Sequence, residues 1–263
     1  MDLNESSKVA FVTFFIDIGR GSWEGWSNRT QENYFQYFSN IAHLENPIYI
    51  YIEDSLKSRI LDLRQERPTY FIESENPYEK FLDRYDKIKK IQTSDLFNTL
   101  LPHHLKSHPE YSRPDYTFVT LLKSHIVKLA IEQFDIKEDL VAWIDFGYKR
   151  DSDFIGNYIS LPFSKDKITV FSQRSIENVD VDFSLLNNVV YIMGGSLVAS
   201  KENWIKVDDS FTESVSELFY KNLVDDDQTV WLMIYLKSPE LFNLIVTEEW
   251  FPLFKYNTSN FAN

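Results

Sequence analysis

Four short stretches of this sequence hold residues whose types and spacing can do chemistry. FIDIGRG places Asp17, Gly19 and Arg20 directly after an apolar run, with Trp23, Trp26 and Arg29 close behind. A carboxylate there can accept hydrogen bonds from a base or ribose, a guanidinium can grip a diphosphate through two parallel bonds, and an indole can stack on a ring. The spacing is not the dinucleotide fingerprint G-x-G-x-x-G, and a simple turn would use the same glycines. AWIDFGYKRD puts Asp145 at the end of a strongly apolar run, followed by Gly147, Lys149 and Arg150. A carboxylate leaving a rigid strand is placed as a ligand of a hard divalent cation such as Mn or Mg must be, although Asp and Gly also end strands in ordinary turns.

Two further stretches add to these. YIMGGSLVASKENW carries the pair Gly194 and Gly195, which after a strand would let a ligand approach the backbone or form a tight turn. Asp225-Asp226-Asp227-Gln228 opens an apolar helical pattern. One Asp suffices to cap a helix, and three leave carboxylates to spare for catalysis. Asp151-Ser152-Asp153 reproduces a D-x-D metal pattern literally, but in a polar stretch beyond the apolar run. His104 and His108 have the i,i+4 spacing of a helical metal pair. Pro102 and Pro109 interrupt such a helix around His103, His104 and His108, and no acidic motif completes the set.

The elements that must position these residues follow from periodicity. Short β-branched and aromatic runs predict strands over 8–16, 47–52, 69–72 and 140–144, with weaker ones over 168–171 and 189–193. Helical patterns fall between them: one capped by Thr30, one after Asp54, several from Tyr78 to Pro102, and a long helix from Pro114 through Phe134 that carries Lys123. Three more are expected over 211–223, 229–236 and 241–246. Strands alternating with helices predict a Rossmann-like α/β fold, a mostly parallel sheet with helices on both faces and a ligand site beyond the carboxyl ends of the strands. With no repeat or linker, one domain over 1–263 is expected. The glycines reinforce the site: Gly19, Gly21 and Gly25 follow the first strand, Gly147 the Trp143 strand, and Gly194 and Gly195 the Val189 strand.

Composition removes several classes of function. The 263 residues are 43% hydrophobic and 16% aromatic, enough for a large core rather than a disordered chain. A net charge of -13 argues against nucleic acid, which needs a basic face, but leaves room for a small anion where Arg and Lys gather. With no cysteine, disulfides, thiolate metal sites and thiol catalysis are excluded, which fits a reducing compartment. The apolar run from Val9 to Ile16 is too short to span a bilayer and lacks a basic lead-in. A cytoplasmic location is expected, with any contact at the inner membrane peripheral.

Taken in order, FVTFFIDIGRGSW, YFQYFSNIAHLENPIYIYIE, the Lys123 helix leading into AWIDFGY, GGSLVASKENW and DDDQ resemble the HtrL/YibB family of bacterial proteins. That family is similar to glycosyltransferases of the A-type nucleotide-sugar fold and is associated with surface-polysaccharide and lipopolysaccharide gene clusters. The resemblance implies transfer of a hexose from a nucleoside diphosphate sugar, UDP-linked by expectation, to a growing glycan acceptor. On that reading Asp17 binds the nucleoside, Arg20 and Lys123 the diphosphate, and Asp145 the cation. Gly194 and Gly195 border the sugar, Asp227 or Asp226 acts on the acceptor, and Asp225 caps the helix. Two departures stand out: D-x-D is reduced to Asp145 and Gly147, and no histidine follows His125. The rival readings are a non-catalytic glycan- or nucleotide-binding protein and a metal-dependent phosphohydrolase, whose companion motifs are missing.

Overall fold

The run from Ser7 to Phe15 forms the central strand because both of its faces are apolar. Val9, Phe11 and Phe15 enter one core, while Ala10 and Val12 enter the other. The computed structural model describes residues 6–24 and 28–258; Gly25 and Trp26 lie outside them. Among the described residues eight strands form one sheet: β1 Ser7–Phe15, β2 Ile48–Ile52, β3 Thr69–Phe71, β4 Leu140–Ile144, β5 Ser160–Leu161, β6 Ile168–Ser172, β7 Ile192–Ala199 and β8 Phe242–Val246. Their order is β3-β2-β1-β4-β7-β6-β8, with β5 beside the start of β1. Pairings β1 to β2, β2 to β3, β1 to β4 and β6 to β8 are parallel, and β7 runs antiparallel to both of its neighbours. The mostly parallel α/β sheet expected from the sequence is therefore what the chain adopts.

Helical segments among the described residues are α1 Gln31–Ser39, α2 Asp54–Arg64, α3 Pro77–Lys80, α4 Leu82–Gln92, α5 Asp95–Leu100, α6 Pro109–Ser112, α7 Pro114–Thr120, α8 Lys123–Gln133, α9 Val181–Leu186, α10 Lys201–Tyr220 and α11 Asp227–Lys237. On one face α1 and α2 insert Phe35, Phe38 and Ile60. On the other, Ile88 of α4, Ile126 and Val127 of α8, Trp204 and Phe211 of α10 and Trp231 of α11 build the larger core. Both faces of the sheet are covered.

Besides the helix expected over 211–223, which begins ten residues earlier as α10 Lys201–Tyr220, three expectations about elements need correction. The segment 241–246 is not a helix but strand β8, paired in register with β6 from Ile168↔Phe242 to Ser172↔Val246. Phe242 and Leu244 face one core and Ile245 the other, a period of two that a five-residue run cannot distinguish by composition. The helix expected over 114–134 is broken between α7 and α8, where the Leu122 N–H bonds the carbonyl of Val119 and tightens one turn. The third correction concerns β7: it begins at Ile192 and runs through Gly194 and Gly195 instead of ending before them.

Candidate active site

The sheet changes its direction of growth between β1 and β4, since β2 and β3 lie to one side of β1 and β4 to the other. A crevice opens at such a switch point beyond the carboxyl ends of the two strands. Here it is a cleft of about 540 Å³, in the range that holds a small ligand or cofactor. Asp17, Arg20, Lys123, Asp145, Gly194, Gly195, Asp226 and Asp227 all line it. Asp17 follows the end of β1 and Asp145 the end of β4. Because β7 runs against β4, its beginning lies at this edge, with Ser196 opposite Ile144.

Each of these side chains is held by local structure. Asp145 leaves β4 with its N–H on the Gly195 carbonyl at 2.9 Å, and the Tyr148 N–H closes a turn on the Asp145 carbonyl. That turn is anchored on both sides. Phe146 stacks flat on Phe38 at 4.6 Å, and the buried Tyr148 phenol accepts from Ser196 Oγ and from the Leu253 N–H. Asp145 Oδ1 receives the Trp143 indole N–H at 3.2 Å, while the side chain keeps 41% of its surface in the cleft. Asp17 is exposed and uses one oxygen to accept from the Gly19 N–H, ordering a turn in which Gly19 has φ 73, a conformation that favours glycine. Arg20 donates to the Tyr34 hydroxyl at 2.9 Å and stands over the rings of Trp23 and Tyr116.

Lys123 opens α8 and is only 5% exposed. Its ammonium lies 2.9 Å from the Gly194 carbonyl oxygen, 3.0 Å from Asp145 Oδ1 and 3.1 Å from Asp227 Oδ1. The carbonyl and the two carboxylates close around the ammonium, so its charge is already met within the protein, not by the diphosphate as expected. Burial alone would lower its pKa, but Asp145 and Asp227 outweigh that effect, and the net shift is upward. Gly194 has a role other than the one expected. A Cβ there would come within 2.3 Å of Asp227 Oδ2, so its missing side chain is the space that Asp227 occupies. Gly195 is different, since a Cβ would make only ordinary contact with Tyr148 at 3.4 Å.

The acidic run divides its roles in a different order from that expected. Asp226, not Asp225, caps α11, its Oδ1 accepting from the Gln228 N–H. Asp225 accepts from the Asp226 N–H and from Thr229 Oγ1, and is buried. Asp227 is 1% exposed, with Oδ1 on Lys123 and a buried Oδ2 that has no partner. Burial pushes the Asp226 carboxyl up to about 7, helped by Glu110, and also raises Asp227 despite the Lys123 charge.

Residues 7–259 match the HtrL_YibB family, described as a bacterial protein of unknown function. The chain belongs to this HtrL/YibB family. It is 36% identical to Protein HtrL of Escherichia coli (strain K12) over 274 aligned positions, covering 97% of this chain and 94% of that protein. Among solved structures it is similar to the apo form of mouse xyloside xylosyltransferase 1, with a TM-score of 0.43 and 12% identity, over 90% of this chain and 85% of that one. No helix among the described residues is long and apolar enough to cross a membrane.

The cleft also contains residues of this HtrL/YibB member that the sequence did not single out. Glu110 follows Pro109 at the start of α6; its Oε2 is buried without a partner, and burial raises its pKa. Tyr116, Trp250 and Phe251 add aromatic wall. Only proximity in the fold reveals them, because none sits in a motif. Asp151 and Asp153 do not line the cleft: Asp151 pairs with Lys149 and accepts the Asp153 N–H, as in an ordinary turn. His103 and His104 lie in a short 3-10 turn, and His108 Nδ1 meets the Asn188 amide at 2.9 Å.

Replacing Gly194 by Ala should lower stability by roughly 1–3 kcal/mol, because the new methyl displaces a carboxylate that is itself fixed. Gly195→Ala should cost far less. Urea denaturation of the two variants measures the contrast, and equal effects would contradict the packing described here. Asp226→Asn should keep the cap, since Asn caps as well as Asp. The folded Asp226 carboxyl titrates near 7 against an ordinary value of 3.8. Below pH 4 both states are protonated; as pH rises towards 7, the unfolded chain releases a proton that the folded one retains, and wild type loses stability. The advantage of Asp226→Asn should therefore grow between about pH 4 and pH 7 and then level off, reaching on the order of 1 kcal/mol or more. Melts across that range measure it, and a flat difference would refute the shift.

Proposed function

We propose that this protein is a glycosyltransferase that moves a hexose from a nucleoside diphosphate sugar to a glycan acceptor. The observation that carries this reading is the gathering of three arginines in the cleft that also holds the acidic cluster. Arg20, Arg29 and Arg150 line it together with Asp145, Asp226, Asp227 and Lys123. Burial and the neighbouring Arg29 charge both lower the Arg150 pKa, so two guanidiniums lie close together without offsetting each other, as expected where an anion binds. In a chain of net charge -13, three arginines in one cleft offer a small anion such as a diphosphate a place to bind.

Transfer breaks the bond between the anomeric carbon and the phosphate oxygen, and the electron pair leaves with the diphosphate. A new bond forms to the acceptor oxygen, whose proton must pass to a base. The arginines meet the developing charge on the leaving group. Asp226 suits the base, since it lines the cleft and its carboxyl titrates near neutrality. Asp227, sealed beneath the surface, holds Lys123 and acts through it. The exposed position of Asp17 after β1, on the lining of the cleft, supports its assignment to the nucleoside. The family resemblance adds uridine as the base and a bacterial surface glycan, such as a lipopolysaccharide or capsule precursor, as the acceptor class.

UDP or a UDP-hexose should raise the melting temperature more than adenosine or guanosine nucleotides, because a ligand that binds only the folded state stabilises it. Arg150→Ala should reduce that shift. Asp226→Asn should bind the donor as wild type does and turn over on the order of 100-fold more slowly. No shift with any nucleotide would refute the assignment. Binding without turnover of any UDP-hexose in wild type would favour a non-catalytic nucleotide-binding protein.

A further inference from the structure

A hard divalent cation at a strand end takes several oxygens converging on one point, most of them carboxylate. This cleft contains such a point, and the protein fills it from within. Asp145 Oδ1, Asp227 Oδ1 and the Gly194 carbonyl oxygen converge at 2.9 to 3.1 Å on the ammonium of Lys123. These distances are those of N–H hydrogen bonds; oxygens around Mg lie about 2.0–2.1 Å from the ion.

The second carboxylate of a D-x-D pair is missing, and its place is tight. Position 147 is glycine, and a Cβ would come within 3.1 Å of the Tyr34 ring and 3.3 Å of Tyr37. Those rings would have to move before any side chain could be accommodated. Among the described residues no group of three or more His, Cys, Asp or Glu side chains is arranged to hold a metal. Of the two carboxylates on Lys123, Asp145 keeps an exposed edge and Asp227 does not. The donor set thus fits a resident ammonium better than the cation expected on Asp145.

We propose that Lys123 is the permanent cation of this site, doing the work of a divalent ion in holding Asp145, Asp227 and Gly194 together, and that nucleotide binding and sugar transfer need no metal. The charge on the departing diphosphate then falls to Arg20, Arg29 and Arg150. The part concerning the nucleotide rests on the glycosyltransferase reading; the part concerning the cation does not.

Two measurements keep these parts separate. The first titrates manganese chloride and magnesium chloride alone into the full-length protein by calorimetry. No saturable heat is expected at millimolar metal. Saturable binding that disappears in Asp145→Asn would overturn the proposal. The second compares the melting shift produced by UDP in EDTA and in manganese. Equal shifts are expected, and a shift that requires manganese would overturn the proposal. If UDP gives no shift in either, the glycosyltransferase reading fails while the metal titration still decides the nature of the cation. Lys123→Ala adds a positive test, because it leaves three oxygens around a vacancy. This variant should melt earlier than wild type in EDTA and recover in manganese but not in sodium. A folded variant that manganese does not restore would mean that these oxygens do not form a cation centre. If it does not fold, the wild-type titration stands by itself.

Discussion

A buried ammonium must be paired, and the placement of Lys123 among three oxygens is the constraint on which the rest of the site depends. Its partners come from the loop after β4, from within β7 and from the first residue of α11. Those elements are far apart in sequence, so the ion pairs form only when the sheet is complete and both helices have docked. Removing one partner from such a buried set costs about 3–5 kcal/mol, far more than a surface pair contributes. The centre is therefore a cooperative lock as well as a charge. It fixes Asp145 at the floor of the cleft without help from a ligand, and a preorganised carboxylate needs no reorganisation when a substrate arrives.

The reversal of β7 makes this lock geometrically possible. In a fully parallel sheet the strand beside β4 would bring its carboxyl end to the cleft, and the following loop would have to turn away to reach a helix. Running the other way, β7 brings its first residues to the cleft, and its backbone carbonyls are available there without any loop. The Gly194 carbonyl can then face Lys123, while the missing Cβ admits Asp227. One glycine thus serves both the cation and the carboxylate.

How much of this was legible in the sequence depends on the range of the interaction. Strands β1, β2 and β4 were readable because each is buried on both faces and announces itself as an apolar run. Asp145 was readable because it terminates such a run. The sense of β7 was not, since strand direction is set by partners that local pattern does not name, and reading Gly194 and Gly195 as a strand-ending turn followed from that. Asp225, Asp226 and Asp227 were recognised as a group but not apportioned, because a one-residue shift in a helix start moves the cap, the buried ion pair and the structural acceptor together. Glu110 and Tyr116 carry no signal at all, being brought to the cleft only by the packing of α6 and α7. Lys123 was singled out by its place before the Asp145 strand, yet its partners were invisible.

The charge balance of the cleft carries a cost that the fold accepts. Asp226 and Asp227, with Glu110 close by, are buried with raised pKa values, and Lys123 neutralises only part of their charge. Leaving Asp227 Oδ2 and Glu110 Oε2 without partners destabilises the folded state, since each orphaned polar atom costs on the order of 1–3 kcal/mol. A core optimised only for stability would replace these groups with apolar ones of similar volume. Their place beside a cleft that also holds arginines and aromatic rings shows that this part of the chain is not arranged for stability alone. The buried Asp227 carboxylate that leaves one oxygen unpaired also holds Lys123 with the other, so the loss of stability and the fixed charge at the floor of the cleft have one source.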